Sequence, residues 1–572
     1  MNESKGIRFF VRSDIRCRIE KRLESFDKGY RQNIGLVGPA GLGKSTLLLA
    51  LFRSLQYQRR FLPVYLNAHV LDFDHFMDTW MGSLLASVFL SRDIEFPREL
   101  QSLLTAAQTH VPKTVEKMQT LRKQLRREKA GSHLRELFGL SSLLAAETGQ
   151  KIVLMLDEFQ DFEKLPVADP FAVLGRQIMV EKNVLYVAAS SRPERAKEIF
   201  REKLTLLFGN FEIFDVEPFD FCETVFFLEN RLPHLQFSES QIRFMIRMTN
   251  GHAAHLEDIA DCLELFFSRQ TYEDFMNAQV QIPVTQEVLM RAFHKKLSPG
   301  KGRIALFFEN KMESLGRLAK DPSPYARALL ALSEGKRKVP AIAAAIERKT
   351  IETQKILQKL VQEDFVSRQG SFFTLDDPLF RFWLRYVFQA SRHMYTPETG
   401  AWSKLLDESL SREYERSESE EQRDIASRVE TLFKQFRNDS VLIANKKIAL
   451  PQFSEILSRS GQALGVTLTA KNAKAAWVCQ VAGQKVQEED VAAFLSEIKK
   501  HRKKISCKII ITLHGIEQNA KLLAQEAKIQ LWSLRDFNAL LDLYDLPKMI
   551  PLSGGEKDGT ALGALAQKLH TA

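Results

Sequence analysis

The stretch Gly38-Pro39-Ala40-Gly41-Leu42-Gly43-Lys44-Ser45-Thr46 constrains this chain more than any other. It fits the phosphate-binding loop pattern of glycine, four residues, then Gly-Lys-Ser/Thr. Its setting agrees. Asn33-Ile34-Gly35-Leu36-Val37 reads as a short buried strand entering the loop, and Leu47, Leu48, Leu51, Phe52 and Leu55 recur at helical spacing after it. The glycines let the backbone curl and turn its N–H groups inward, and the helix starting near Lys44 adds its N-terminal dipole, so a polyphosphate is favoured there. In that geometry Lys44 reaches the β- and γ-phosphates and the Ser45 hydroxyl ligates Mg²⁺.

A second stretch completes the pattern. Lys151-Ile152-Val153-Leu154-Met155-Leu156-Asp157-Glu158 is a continuous apolar run ending in two acids. Continuous apolarity marks a strand buried on both faces of a parallel sheet, and acids at its carboxyl end fall where open α/β sheets place their ligands. Asp157 is the candidate metal-side acid and Glu158 the candidate general base. Asn183 to Ala189 repeats the theme and ends in Ser190-Ser191-Arg192, where a polar group can sense the γ-phosphate or position water. Arg192, Arg195 and Arg201 are candidates for an arginine finger, against the plainer role of exposed helix arginines.

Composition limits the alternatives. A chain of 572 residues with 45% hydrophobic content supports packed cores in about four domains. The five cysteines, Cys17, Cys222, Cys262, Cys479 and Cys507, form no CxxC pair, which argues against a zinc ribbon or a disulfide framework. With no apolar signal core at the start and no run long enough to span a membrane, a cytoplasmic location is expected. A net charge of +10 is compatible with a polyanion partner. A crowd of bases at Lys113, Lys117, Arg122, Lys123, Arg126, Arg127 and Lys129 reads as a solvated helix face or as a phosphate-contacting insertion.

Gly38–Thr46, the run ending in LDEFQDF at Phe162, the Ser190-Ser191 strand end, VEPF at 216–219 and TNGHAAHL at 249–256 together resemble the archaeal-type ATPases, of the STAND class within the AAA+-like P-loop NTPases. The resemblance covers roughly residues 7–268. It implies ATP rather than GTP, Mg²⁺, and a nucleotide-driven switch or homo-oligomer rather than a small-molecule enzyme. Members commonly carry Gly-Pro after the lid glycine; here Gly251 is followed by His252-Ala253. His252 and His255 read as surface or packing residues, with no third metal ligand nearby.

The expected architecture is α/β: a P-loop ATPase core with a parallel sheet over 1–219, a strand fragment over 7–12 at its start, a helical lid over 220–300, and a winged helix-turn-helix with a packing helix over 301–395. Helices near 325–333, 339 onward and 351–360, then a hairpin over 365–375, carry the winged-helix reading. Lys349, Lys355 and Lys359 on the third helix and Arg368 on the wing are candidates for DNA contact; a protein-contact role for the module competes. Residues 396–423, with Ser417-Glu418-Ser419-Glu420-Glu421, read as a solvated linker or helix start. The 424–552 segment resembles the restriction-endonuclease fold, closest to the Mrr-like nucleases, and 553–572 is a tail. That resemblance implies an upstream Asp and a Gln/Glu-x-Lys triplet holding Mg²⁺. Here the triplet is Gln480-Val481-Ala482, without the lysine; Glu430 is the nearest acid and Lys485 is displaced. Lys499, Lys500, Arg502 and Lys503 form a basic cluster that can touch phosphates or stay solvated.

Three readings follow: an ATP-dependent switch acting on DNA with a non-cleaving nuclease-like domain, an ATP-controlled protein-interaction scaffold, and an ATP-controlled nuclease. The sequence favours the first, with ATP, Mg²⁺ and DNA as the partners and no membrane.

Overall fold

The computed structural model describes residues 12–70, 72–125, 133–204, 211–267, 281–300, 302–391, 401–443, 446–460, 465–472, 476–499 and 505–551. Of the strand expected over 7–12 only Arg12 is among them, and it is not in a strand; Arg126, Arg127, Lys129, the basic residues Lys500, Arg502 and Lys503, and the tail lie outside them. The chain divides into two compact units, 1–218 and 219–572.

The first unit is built on five parallel strands: β1 (Asn33–Val37), β2 (Phe61–Asn67), β3 (Lys151–Asp157), β4 (Val184–Ser190) and β5 (Phe211–Asp215), in the order β2-β3-β4-β1-β5. Alternate residues feed two cores. Ile34, Leu36, Val153, Met155, Leu185 and Val187 pack under the helices Ser13–Asp27 and Lys44–Gln56. Leu62, Val64, Leu66, Ile152, Leu154 and Leu156 pack on the other side against Phe73–Leu90 and Leu134–Thr148, with Phe76, Trp80, Phe138 and Phe162 as an aromatic cluster. Helices on both faces are why these strands read as unbroken apolar runs. Between β2 and β3 the described residues form four helices, Phe73–Leu90, Leu100–Ala107, Pro112–Leu125 and Leu134–Thr148.

The second unit opens with the helices Phe221–Arg231, Glu239–Thr249, Ala253–Phe266 and Gln286–Leu297. A short parallel pair, β6 (Leu235–Gln236) and β7 (Ile282–Pro283), lies among them. Helices Ser323–Ser333, Val339–Ile346 and Thr350–Gln362 then precede the hairpin β8 (Ser367–Gln369) and β9 (Phe372–Thr374). At its turn Gly370 has φ +62°, and a Cβ there would stand 2.1 Å from the Ser440 carbonyl oxygen. Only glycine fits so close an approach. Ser440 belongs to a second hairpin, β10 (Asp439–Ile443) and β11 (Lys446–Leu450), which the sequence reading did not anticipate.

The linker expected over 396–423 is corrected. Residues Ala401–Glu421 form one helix, in which Leu406, Leu410 and Tyr414 are buried and the Phe244 and Tyr414 rings lie 5.1 Å apart. Charged residues dominate its sequence because only one narrow stripe packs, which hides the period of a helix. Beyond it, the helix Ile425–Gln435 covers a five-stranded sheet: β12 (Glu455–Ser460), β13 (Gly465–Lys471), β14 (Ala476–Ala482), β15 (Cys507–Thr512) and β16 (Gln530–Ser533), in that order. The first three strands are antiparallel, and β14, β15 and β16 run parallel. No helix among the described residues is long and apolar enough to cross a membrane.

Candidate functional site

Strand order assembles the site. Because β4 lies between β1 and β3, the end of β4 sits beside both the loop after β1 and the acids after β3. Val37 is in register with Ser190, and Asn67 with Asp157. The loop needs its glycines at two places: a Cβ on Gly38 would meet the Val216 carbonyl oxygen at 2.5 Å, and Gly43 caps the following helix with φ +86°.

Lys44 is 4% exposed, and its Nζ donates to the carbonyls of Gly38 (2.8 Å) and Pro39 (2.7 Å). Burial lowers it to about 8, against the pull of the Glu158 and Asp157 charges. Ser45 and Thr46 are exposed at the start of the helix, as are Pro39, Ala40 and Gly41, whereas Leu42 is buried. Arg12, missed by the sequence reading, donates from Nη2 to the Leu42 carbonyl at 2.9 Å and so fixes the loop from below.

Asp157 is buried, and both of its oxygens are oriented. Oδ2 accepts from the Tyr65 hydroxyl at 2.9 Å and Oδ1 from the Glu158 amide at 3.1 Å. Burial, reinforced by Asp157, raises Tyr65 well above the usual phenol range, so it stays a donor. Glu158 has φ +54°, a region costly for a non-glycine residue. Its Oε2 accepts from Ser191 Oγ (2.6 Å), the Ser191 amide (3.2 Å) and Gln160 Nε2 (2.6 Å). Of the two candidate serines, Ser191 therefore meets the acid. Ser190 is fully buried, its hydroxyl accepting from the Arg192 amide at 3.1 Å. Tyr65 and Gln160 carried no motif; only their places on a strand end and one turn past the acids distinguish them.

Among the arginines, Arg195 is held by Glu163 and Glu198, while Arg192 and Arg201 are exposed. Of the earlier basic crowd, Lys117 pairs with Glu136, and Arg122 donates to Gln101 and Asp78. His255 packs as expected: buried, bonded to Asp377 at 3.0 Å and stacked on His252 at 4.0 Å.

The described DNA candidates differ in their surroundings. Lys349, at the N-cap of the Thr350–Gln362 helix, and Lys355, on that helix with Ile351, are exposed, but Lys359 donates to the Leu318 carbonyl. Arg368 is exposed, bonded to the Gly370 carbonyl at 3.2 Å, and Lys499 is exposed. In the C-terminal sheet Gln480 is fully buried with neither amide atom bonded. Glu430 pairs with Lys434 on its own helix at 2.6 Å, and Lys485 is exposed. No group of three or more His, Cys, Asp or Glu among the described residues could hold a metal.

No curated protein matches the chain. Among solved structures it is similar to the Walker-type ATPase PABY2304 of Pyrococcus abyssi, at 16% identity over 66% of this chain and 97% of that one, TM-score 0.45. It is also similar to the Aeropyrum pernix ORC2 protein (13% identity, 67% and 95% covered, TM-score 0.40) and to the Aeropyrum pernix ORC1 protein solved with DNA (13%, 66% and 93%, TM-score 0.34). Residues 8–185 match the model of the AAA ATPase domain, so this chain carries a domain of that family around its phosphate-binding loop.

Proposed function

We propose that the protein binds and hydrolyses ATP as a switch, with Lys44, Asp157, Glu158 and Ser191 as its working groups. The observation that carries this is their convergence at the carboxyl edge of one parallel sheet. Lys44 now donates to carbonyls of its own loop, an arrangement an arriving phosphate replaces with a stronger, charge-assisted one. The exposed Ser45 hydroxyl and the oriented Asp157 carboxylate fit a hydrated Mg²⁺, which when bound draws charge from the phosphate oxygens. Glu158, beside Asp157 at the same strand end, is the group to take a proton from the attacking water, once Oε2 leaves Ser191 and Gln160. Ser191 then remains to orient that water or the phosphate. Phosphate release from ATP by the Glu158→Gln protein tests this. Turnover should fall on the order of 10²–10³-fold with nucleotide binding retained; unchanged turnover removes Glu158 from its role.

The finer reading is that the 301–395 segment is a winged helix acting on DNA, assisted by a nuclease-like C-terminal domain that does not cut. The exposed Lys355 and Ile351 on one helix, with exposed Lys349 at its N-cap, support DNA contact; the absence of a lysine at Ala482 supports the lack of cleavage. Salt titration of DNA binding tests it: replacing Lys349 and Lys355 by Glu should flatten the log–log slope by about 0.9 per lost phosphate contact. One observation favours the scaffold reading instead. The hairpin is occupied within the chain, its Gly370 tip against Ser440 and its own Phe372 packed among Val429, Leu432 and Phe433, so protein contact is a role it already performs. Binding to DNA that is undetectable at low salt would select that reading.

A further inference from the structure

Charge buried without a partner is costly, and one junction in residues 219–572 leaves such a charge. The helix Glu239–Thr249 carries Ser240, Arg243 and Arg247 along one stripe. Ala401–Glu421 brings Ser417, Glu420 and Glu421, and Ile425–Gln435 brings Arg428. The two carboxylates are already engaged. Glu421 Oε2 accepts from Ser240 Oγ at 3.1 Å and stands 3.3 Å from Arg243 Nη1. Glu420 Oε1 accepts from Arg423 Nη1 at 2.8 Å, and its Oε2 lies 3.6 Å from Arg428 Nη1. Glu239 reaches Arg243 only at 3.9 Å and is 65% exposed. Arg247 makes no ion pair, and its Nε and Nη1 are buried with no acceptor.

The same junction holds further buried atoms without a hydrogen bond: Arg243 Nε, Arg428 Nη1, Ser417 Oγ and, as the sole acceptor-only group, Glu421 Oε1. Arg428 is 6% exposed and Ser417 fully buried. Four guanidinium groups, those of Arg243, Arg247, Arg423 and Arg428, thus face two carboxylates, of which Glu421 keeps one oxygen unbonded. Water could bond to the free donors but would leave the charge unbalanced; an anion answers both. We propose that Arg247, with Arg243, Arg428 and the Ser417 hydroxyl, forms a binding site for a small phosphate-type oxyanion. The Nε–Nη1 edge of a guanidinium matches two oxygens of such an ion. The remaining donors call for a third and fourth oxygen, which a phosphate has and a carboxylate lacks. Burial, then the neighbouring Arg428 charge, lowers Arg247 to about 10, so it is cationic at neutral pH. A bound oxyanion would brace the Glu239–Thr249 helix against the two helices that lead into the C-terminal sheet.

The test uses the full chain carrying Lys44→Ala, so that the phosphate-binding loop contributes little, and does not depend on ATP hydrolysis. Melting temperature is followed with inorganic phosphate, with chloride at matched ionic strength, and with a short single-stranded oligonucleotide. Phosphate at several times its Kd should raise Tm by about 2–4 °C, chloride and the oligonucleotide much less. Adding Arg247→Met should abolish the phosphate response and raise Tm in phosphate-free buffer, because an unpaired buried charge is gone. Should that variant not fold, Ser417→Ala retains every charge and should weaken the phosphate response severalfold. A phosphate effect equal to that of chloride, a response that survives both substitutions, or stabilisation by the oligonucleotide alone would overturn the assignment.

Discussion

Two five-stranded sheets in this chain share an outline and differ in where their polar groups lie. β3 and β14 are both interior strands, each flanked on both sides, with residues buried along their length. β3 keeps its interior apolar and ends in Asp157 and Glu158, each bonded at the sheet edge. β14 ends in Ala482 and Gly483 and instead carries Gln480 in its middle, buried and unbonded. The contrast teaches that a sheet supports chemistry when its charged groups stand at a strand end, where backbone donors, neighbouring loops and solvent can serve them. The same polarity inside a strand is only a cost.

Removing the cation from the first sheet is the strongest way to break this comparison. Lys44→Ala should weaken ATP binding on the order of 100-fold, about 3 kcal/mol, as read by fluorescent-nucleotide titration; a variant with wild-type affinity would put the phosphate elsewhere. Protonation probes the same group more gently. Lys44 sits near 8 when free, below its ordinary value, because burial disfavours its charge. A bound phosphate favours the charge and raises that value. Binding therefore takes up a proton above about pH 8, and affinity should fall roughly tenfold between about pH 7.5 and 9.5. A flat profile would separate Lys44 from the phosphate.

The second sheet should respond with the opposite sign. Gln480→Met removes two unbonded polar atoms while keeping the volume, and should stabilise the protein by about 1 kcal/mol in denaturant unfolding. A loss of stability would mean that the amide has an occupant. The smallest effect is expected at Tyr65. Tyr65→Phe leaves Asp157 in place but frees Oδ2, so the Mg²⁺ concentration needed for tight nucleotide binding should rise about threefold to fivefold, while Mg²⁺-free binding is unchanged. An unaltered Mg²⁺ dependence would make that hydrogen bond merely structural.

Much of the first unit was legible in the sequence because its signals are local. The loop glycines, the apolar runs and the acids after β3 each declare themselves within ten residues. Tyr65 and Gln160 were not legible, since their roles depend on strand register and on a turn with positive φ. The second unit was harder to read. Helices and parallel strands such as β14 and β15 showed as apolar runs. By contrast, β10, β11, β12 and β13 mix polar and apolar residues in antiparallel pairs, where half of each strand faces away from the core. The Ala401–Glu421 helix was obscured for a similar reason, its buried Leu406, Leu410 and Tyr414 being spread thinly among charges.

That helix changes what the two ends of the second unit can communicate. A solvated tether would let the C-terminal sheet move independently of the helices that precede it. Twenty-one helical residues make a strut roughly 30 Å long. It is packed at Tyr414 against the Glu239–Thr249 helix, and Asp424 starts the next helix almost at once. A tilt of about 5° at one end of a rod this long displaces the other by nearly the width of a water molecule. The second unit has thereby the mechanical means to turn a small rotation of the Glu239–Thr249 helix into a displacement at the start of the helix that covers the C-terminal sheet.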